Sequence, residues 1–200
     1  MERVTKVQEQ VENIYLSENS RPMGRWMWNN HVNWVKDKAQ ILARKYGADE
    51  EKVAVSALLH DLADARYERG DHEFEDWGET QAKRILTDSG FSNEEISEIF
   101  ETIIGPHSCR PGNLPTTLEG KVFATADAMF HLQTSFFAML CYKNRPEKTS
   151  TFEEWQDWFA EKIERDYSVK IFFDDERKEV QVDFDALNKV FGNKTLKSSE

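Results

Sequence analysis

Cysteine is scarce in this chain: Cys109 and Cys141 are the only two among 200 residues. They form no CxxC pair, which argues against a disulfide framework and indicates a reducing compartment. No apolar run approaches about 18 residues, and the start Met1-Glu2-Arg3 has no signal-sequence character, so we expect neither a membrane span nor export. These absences together predict a cytoplasmic protein.

Positively charged residues are also few: the chain has 26 lysines and arginines but 37 aspartates and glutamates, which gives a formal net charge of -11. Such a surface repels polyanions at long range, so we expect no nucleic acid polymer and no anionic membrane as a partner. The length is sufficient for one domain with a core of its own. With no linker composition and no internal repeat, we predict a single domain over residues 1–200.

Apolar residues recur at helical spacing along most of the chain, which predicts an all-α bundle of about six or seven helices. Helix caps are indicated by Asp49, by Ser92 with Glu95, by Ser150 with Glu153, and by Gly47 at a helix end. Beyond Tyr167 the alternating residues fit either a small C-terminal hairpin or a continued helix. The helical patterns cover residues 4–17, 28–46, 53–61, 74–86, 96–104, 118–140 and 152–163.

The most apolar of these segments ends on two adjacent polar residues, His60 and Asp61. Burying polar or charged side chains costs desolvation free energy, and binding a divalent metal ion is one way to offset that cost. The preceding helix carries His31 on or beside its apolar face. Since the connection between the two helices is short, they should be antiparallel neighbours, with His31 level with the His60-Asp61 pair.

A later helix places Asp127 within an apolar stretch, which adds a second carboxylate to the two imidazoles. A mixed nitrogen and oxygen site of this kind suits one ion of Mn, Fe, Co, Ni or Zn better than calcium. A single histidine on an apolar face, such as His31 alone, is more often structural. The joint occurrence of all four residues reverses those odds in favour of a metal site.

In order and spacing, these residues resemble the HD-domain superfamily of metal-dependent phosphohydrolases. His31 precedes the His60-Asp61 doublet by 29 residues, and Asp127 follows it by 66. The resemblance covers roughly residues 25–142. It implies an HD-domain-like helical bundle, a metal held by His31, His60, Asp61 and Asp127, and hydrolysis of a small phosphorylated substrate, in the first instance a nucleotide.

The resemblance also suggests roles for residues near the metal. Asp64 matches an acidic position used in proton transfer, although glutamate is frequent there. His107 fits one of the two extra histidines of members with two metals, but His72 comes too early for the other, so we expect a single metal. His107 is then a catalytic candidate in contact with a substrate phosphate. By proximity in the sequence, Arg66 and Arg110 are the candidate phosphate-binding arginines.

For other polar and aromatic residues the sequence supports a functional role less strongly. His131 follows Asp127 by four positions and could add a ligand, although the family pattern does not require it. Trp26 and Trp28 could stack on a base, but aromatic residues at helical spacing are usually core. Lys143 and Arg145 are expected to be solvated surface.

Three functions remain open at this point: a hydrolase, a non-catalytic sensor that binds metal and nucleotide in the same pocket, and a structural helical protein without metal. A further alternative concerns Asp61, which could pair with an arginine such as Arg66 in a buried salt bridge. Substitution of Asp61 distinguishes a ligand from a salt bridge, because only a ligand's loss is offset by added metal.

Overall fold

The computed structural model describes residues 2–143 and 151–192, and all regular secondary structure in these ranges is helical. The predicted all-α fold is therefore confirmed. The expected six or seven helices are too few, because the described ranges contain eleven α-helices. Two compact units divide the chain, Met1–Asp127 and Ala128–Glu200. That residues 1–200 form one domain stays a prediction.

The first unit is built from helices joined by short turns. Two wider π-helical turns occur in it, a feature often seen near functional sites. In chain order its elements are α1 (Glu2–Leu16), α2 (Gly24–Trp26), a π-helical turn (Met27–Val32), α3 (Asn33–Tyr46), α4 (Glu50–Leu59), a 3₁₀ turn (Leu62–Ala65), α5 (Phe74–Asp88), α6 (Asn93–Glu98) and a second π-helical turn (Ile99–Ile104). Helix α7 (Leu118–Gln133) contributes residues to both units.

Helix α4 is the core of the first unit, since every residue from Val53 to Leu59 is buried. Its predicted cap is confirmed: the Asp49 carboxylate accepts hydrogen bonds from the backbone N–H groups of Glu51 and Lys52 at 2.9 and 3.1 Å. These bonds satisfy donors that the first turn leaves without helical partners. The predicted extension of the helix through Asp61 is wrong, because Asp61 has the non-helical angles φ -112 and ψ 22.

Helices α1 and α3 pack on α4 and enclose it. Helix α1 does so with the buried stripe Val4, Val7, Val11 and Tyr15. Helix α3 ends at Gly47, whose φ of 78 is a left-handed conformation that glycine adopts without strain. The connection to α4 is only three residues long, so α3 and α4 run antiparallel, as predicted.

The remaining local predictions are partly confirmed. Ser92 and Glu95 form the expected capping box at the start of α6. The long pattern of residues 118–140 is broken into α7 and α8 (Phe136–Lys143). The break follows from Thr134, whose hydroxyl donates to the Phe130 carbonyl and accepts from the backbone N–H of Phe136. A threonine that bonds to its own backbone in this way competes with helix continuation.

The second unit continues with α9 (Phe152–Ser168), α10 (Asp174–Glu179) and α11 (Gln181–Phe191). The predicted Ser150 cap lies outside the described residues, and the capping box of α9 is made one position later by Thr151 with Glu154. A C-terminal hairpin does not form in the described part of this unit. Lys170 and Ile171 are consecutive and both buried, so the alternating sequence belongs to an inter-helix connection and not to a strand.

Among the residues that the structure describes, no helix is long and apolar enough to span a membrane.

Candidate metal centre and the adjoining cavity

His31 lies in the first π-helical turn, at the end of the segment that leads into α3. Its side chain is buried, with 1% of its surface exposed. Because α3 and α4 are antiparallel, this turn lies beside the end of α4, where the chain places His60. The two Nε2 atoms approach to 2.9 Å.

His60 is the last residue with helical backbone angles at the end of α4. Its Nδ1 lies 2.9 Å from the carbonyl oxygen of Ala57. A carbonyl can only accept, so Nδ1 carries the proton and the neutral ring presents a bare Nε2 lone pair toward His31. Burial lowers the pKa of His60, which favours this neutral form. A backbone carbonyl that fixes the tautomer in this way is typical of metal-binding histidines.

Asp61 leaves the helix and turns its carboxylate toward the same point. Its backbone carbonyl accepts a hydrogen bond from the Tyr15 hydroxyl at 2.6 Å, which attaches this non-helical residue to α1. Asp61 Oδ2 lies 3.2 Å from His31 Nε2 and 3.4 Å from His60 Nε2.

Asp127 completes the cluster from α7. Its Oδ1 lies 3.7 Å from His31 Nε2 and 3.8 Å from His60 Nε2, and the residue is only 2% exposed. Ligands bonded at about 2.0–2.2 Å to one ion lie about 2.8–3.6 Å apart when their bond angles are near those of octahedral or tetrahedral sites. The distances among His31, His60 and Asp61 fall in this range and fit one ion between these three side chains. The Asp127 distances lie just above the range, so Asp127 must move slightly closer to bind the same ion.

The charges of the cluster suit a cation. Burial opposes ionisation of Asp61, but Arg69 and the neighbouring imidazoles outweigh it and hold the pKa of this carboxyl well below its ordinary value. The approach of the two imidazole Nε2 atoms to 2.9 Å requires a proton or a cation between them, because two bare lone pairs at this distance repel. The donor set, two imidazoles and two carboxylates, is one that divalent transition metals accept.

Arg69 is a part of the site that the sequence did not reveal. Its Nη2 donates to Asp61 Oδ1 and to Asp64 Oδ2, each at 2.7 Å, and its Nε donates to Asp64 Oδ2 at 3.1 Å. The two carboxylates raise the pKa of Arg69 above its ordinary value, so the guanidinium stays charged. Asp64 itself is buried, with 4% exposure, next to the cluster where proton transfer was predicted.

The arginines proposed from the sequence lie elsewhere. Arg66 is exposed and donates to the carbonyl of Asn19 at 2.8 Å, so it is not the ion-pair partner of Asp61. Arg110 is exposed in a turn closed by the backbone N–H of Asn113. Neither residue lines the cavity described next. Proximity in sequence to the site residues therefore did not place either arginine in the wall of this cavity.

A cavity of about 300 Å³ adjoins the cluster. His60 and Asp61 contribute to its wall, which connects it directly to the candidate ligands. His107 lines it as well, with its ring 5.4 Å from that of His60 and its Nδ1 at the carbonyl of Ile104. The other lining residues come mainly from the 3₁₀ turn, α5 and the second π-helical turn.

The remaining candidates are placed as follows. His72 is exposed in the loop before α5 and does not line the cavity. His131 lies in the second unit, where its Nδ1 is 3.0 Å from Asp166 Oδ2. Trp28 is core: it is 3% exposed, and it stacks on Tyr15 at 6.1 Å.

The model of the HD domain family matches residues 29–130, which is about half of the chain and contains the four clustered residues, Asp64, Arg69 and His107. The chain belongs to the HD domain family. Members of this family are, in general, metal-dependent phosphohydrolases, and the buried His/Asp group is consistent with that chemistry. Comparison with curated proteins and with solved structures gave no match. The assignment of individual ligands and catalytic residues stays a prediction.

Proposed function

We propose that this protein is a metal-dependent phosphohydrolase that acts on a small phosphorylated molecule, in the first instance a nucleotide. One observation carries the proposal: two imidazoles and two carboxylates converge beside a cavity of about 300 Å³. This volume is at the lower end of the range for small-molecule sites. A single nucleotide or another compact phosphate compound therefore matches the size of this cavity best.

His31, His60, Asp61 and Asp127 would hold the metal ion. A divalent ion bound there supplies Lewis acidity and makes bound water more acidic. The cavity adjoins this group through His60 and Asp61, so a substrate in the cavity would place its phosphorus next to the cluster. The side chains of His31, His60 and Asp127 are at most 3% exposed, so bulk water is largely excluded from this part of the cluster.

Asp64 is the proposed proton acceptor for the attacking water. It is buried beside Asp61, and Arg69 fixes one of its oxygens by two hydrogen bonds. A fixed carboxylate loses less entropy when it takes up a proton in the transition state. His107, on the cavity wall, is the proposed contact for the leaving group, and its Nδ1 bond to Ile104 holds the ring orientation.

The experiment is a substrate panel. Metal-free protein is loaded separately with Mn, Fe, Co, Ni or Zn, incubated with nucleoside mono-, di- and triphosphates, and assayed for phosphate and pyrophosphate. We expect turnover with at least one metal and none after chelation. Absence of turnover with every metal overturns the hydrolase. Joint thermal stabilisation by metal and nucleotide without product would instead support the sensor.

A further inference from the structure

The wall of the cavity is short of positive charge. Asp61, Glu75 and Glu79 contribute carboxylates to it, whereas Arg69 is the only lysine or arginine among the described residues that line it. A phosphorylated ligand is an anion, and three carboxylates in the wall oppose its entry. A cation of the protein itself is therefore needed in addition to any metal.

Arg69 is positioned by two different carboxylates. Its Nη2 and Nε bond to Asp61 and Asp64, while its Nη1 makes no hydrogen bond to the part of the chain that the structure describes. The side chain remains 61% exposed. One edge of the guanidinium is thus anchored, and donors on its other side remain available to a ligand in the cavity.

Asp61 couples this arginine to the candidate metal centre. Its Oδ2 faces the two imidazoles at 3.2 and 3.4 Å, and its Oδ1 accepts from Arg69 at 2.7 Å. One rigid carboxylate therefore sets the distance between the metal cluster and the guanidinium. A phosphate group has several oxygens, so it can approach the cluster with one oxygen and receive hydrogen bonds from Arg69 on another.

We propose that Arg69 is the phosphate-binding residue of this cavity, held in position by Asp61 and Asp64. The inference rests on the proposed function for its substrate class, but phosphate binding by Arg69 does not require turnover. A guanidinium suits this role because its planar set of N–H donors matches two phosphate oxygens at once. The role belongs to Arg69 and not to Arg66, which bonds to Asn19 outside the cavity.

The test is calorimetric titration of inorganic phosphate into metal-loaded wild type, Arg69→Gln, Arg69→Lys, Arg66→Gln and Arg84→Gln. Arg84 is the matched control, because it is an exposed arginine on α5 that donates to Gln81 and does not line the cavity. Metal content is measured for every variant, and circular dichroism checks folding.

We expect Arg69→Gln to weaken phosphate binding about 10- to 100-fold, as is typical for a lost charged hydrogen-bond partner, with metal content unchanged. Arg69→Lys should recover part of the affinity, because it restores the charge but not the planar fork. Arg66→Gln and Arg84→Gln should match the wild type. With a hydrolysed substrate, Arg69→Gln should raise KM by a similar factor.

The inference is overturned by no phosphate binding in the wild type, by wild-type affinity in Arg69→Gln, or by an equal loss in Arg66→Gln. Loss of metal in Arg69→Gln, with full rescue of phosphate binding by excess metal, would also overturn it, since Arg69 would then only position Asp61. These results are distinct from failure of the hydrolase proposal. Arg69-dependent phosphate binding without turnover upholds the inference alone, and turnover without Arg69 dependence upholds the hydrolase alone.

Discussion

Replacing Asp61 by asparagine separates the two interactions that its carboxylate makes. One oxygen faces the imidazoles of His31 and His60, and the other accepts from Arg69. The Arg69 side chain is 61% exposed and keeps its bonds to Asp64, so the variant does not strand a buried cation. Asp61 is 14% exposed, but its partner Arg69 is largely in solvent, so loss of this ion pair should cost on the order of 1 kcal/mol. We therefore expect metal-free Asp61→Asn to be nearly as stable as metal-free wild type.

A large difference in stability between wild type and Asp61→Asn should appear only when metal is present. An ion present at about 100 times its Kd stabilises the folded wild type by about 2.7 kcal/mol. If the substitution weakens binding about 100-fold, the same ion concentration stabilises the variant by only about 0.4 kcal/mol. For a chain of this size the difference corresponds to a Tm lower by about 5–9 °C. Higher metal concentrations should then recover it by mass action.

The assay is a series of thermal melts across a metal titration, with chelated samples as the zero point. Glu75→Gln is the control, since Glu75 lines the same cavity but lies outside the four-residue cluster. It should follow the wild-type curve. The reasoning is refuted if metal-free Asp61→Asn has already lost several kcal/mol and added metal restores none of it, as expected for a disrupted buried salt bridge.

Two further predictions concern other titratable residues. His60→Ala should lose bound metal and activity together, whereas Asp64→Asn should keep its metal and lose about a hundredfold or more in kcat. Elemental analysis measures the metal content and steady-state assays measure kcat. Equal metal loss in both variants would make Asp64 a ligand. In the second unit, burial disfavours the ionised form of Asp166, but Lys162 and His131 outweigh it and lower its pKa. Its stabilising effect should be complete above about pH 4 and decline below, so denaturation curves of wild type and Asp166→Asn should converge in acid; a pH-independent gap would refute this.

The helices of the first unit were predictable because their signals are local. Asp49 and the Ser92-Glu95 box act within one turn of their own helices, and Gly47 adopts its positive φ where the pattern of α3 stops. The pairing of α3 with α4 followed from the short loop between them. That pairing was sufficient to predict that His31 approaches His60.

The end of α4 and the role of Arg69 could not be predicted, because both depend on contacts between distant parts of the chain. Asp61 leaves the helix where the Tyr15 hydroxyl binds its carbonyl, 46 residues away in sequence. The loop that follows is held by Arg21, which donates to the carbonyl of Tyr67. No local pattern distinguishes Arg69 from Arg66 once the path of the loop depends on such contacts.

The central claim is that His31, His60, Asp61 and Asp127 hold one divalent ion beside the cavity. The most direct measurement is a crystal structure of metal-loaded protein with anomalous scattering data collected at the absorption edge of the metal. We predict one strong anomalous peak within roughly 2.0–2.3 Å of a nitrogen or oxygen of each of the four side chains. A peak bound elsewhere, or none at the cluster with Asp127 turned away from the two histidines, would contradict the claim.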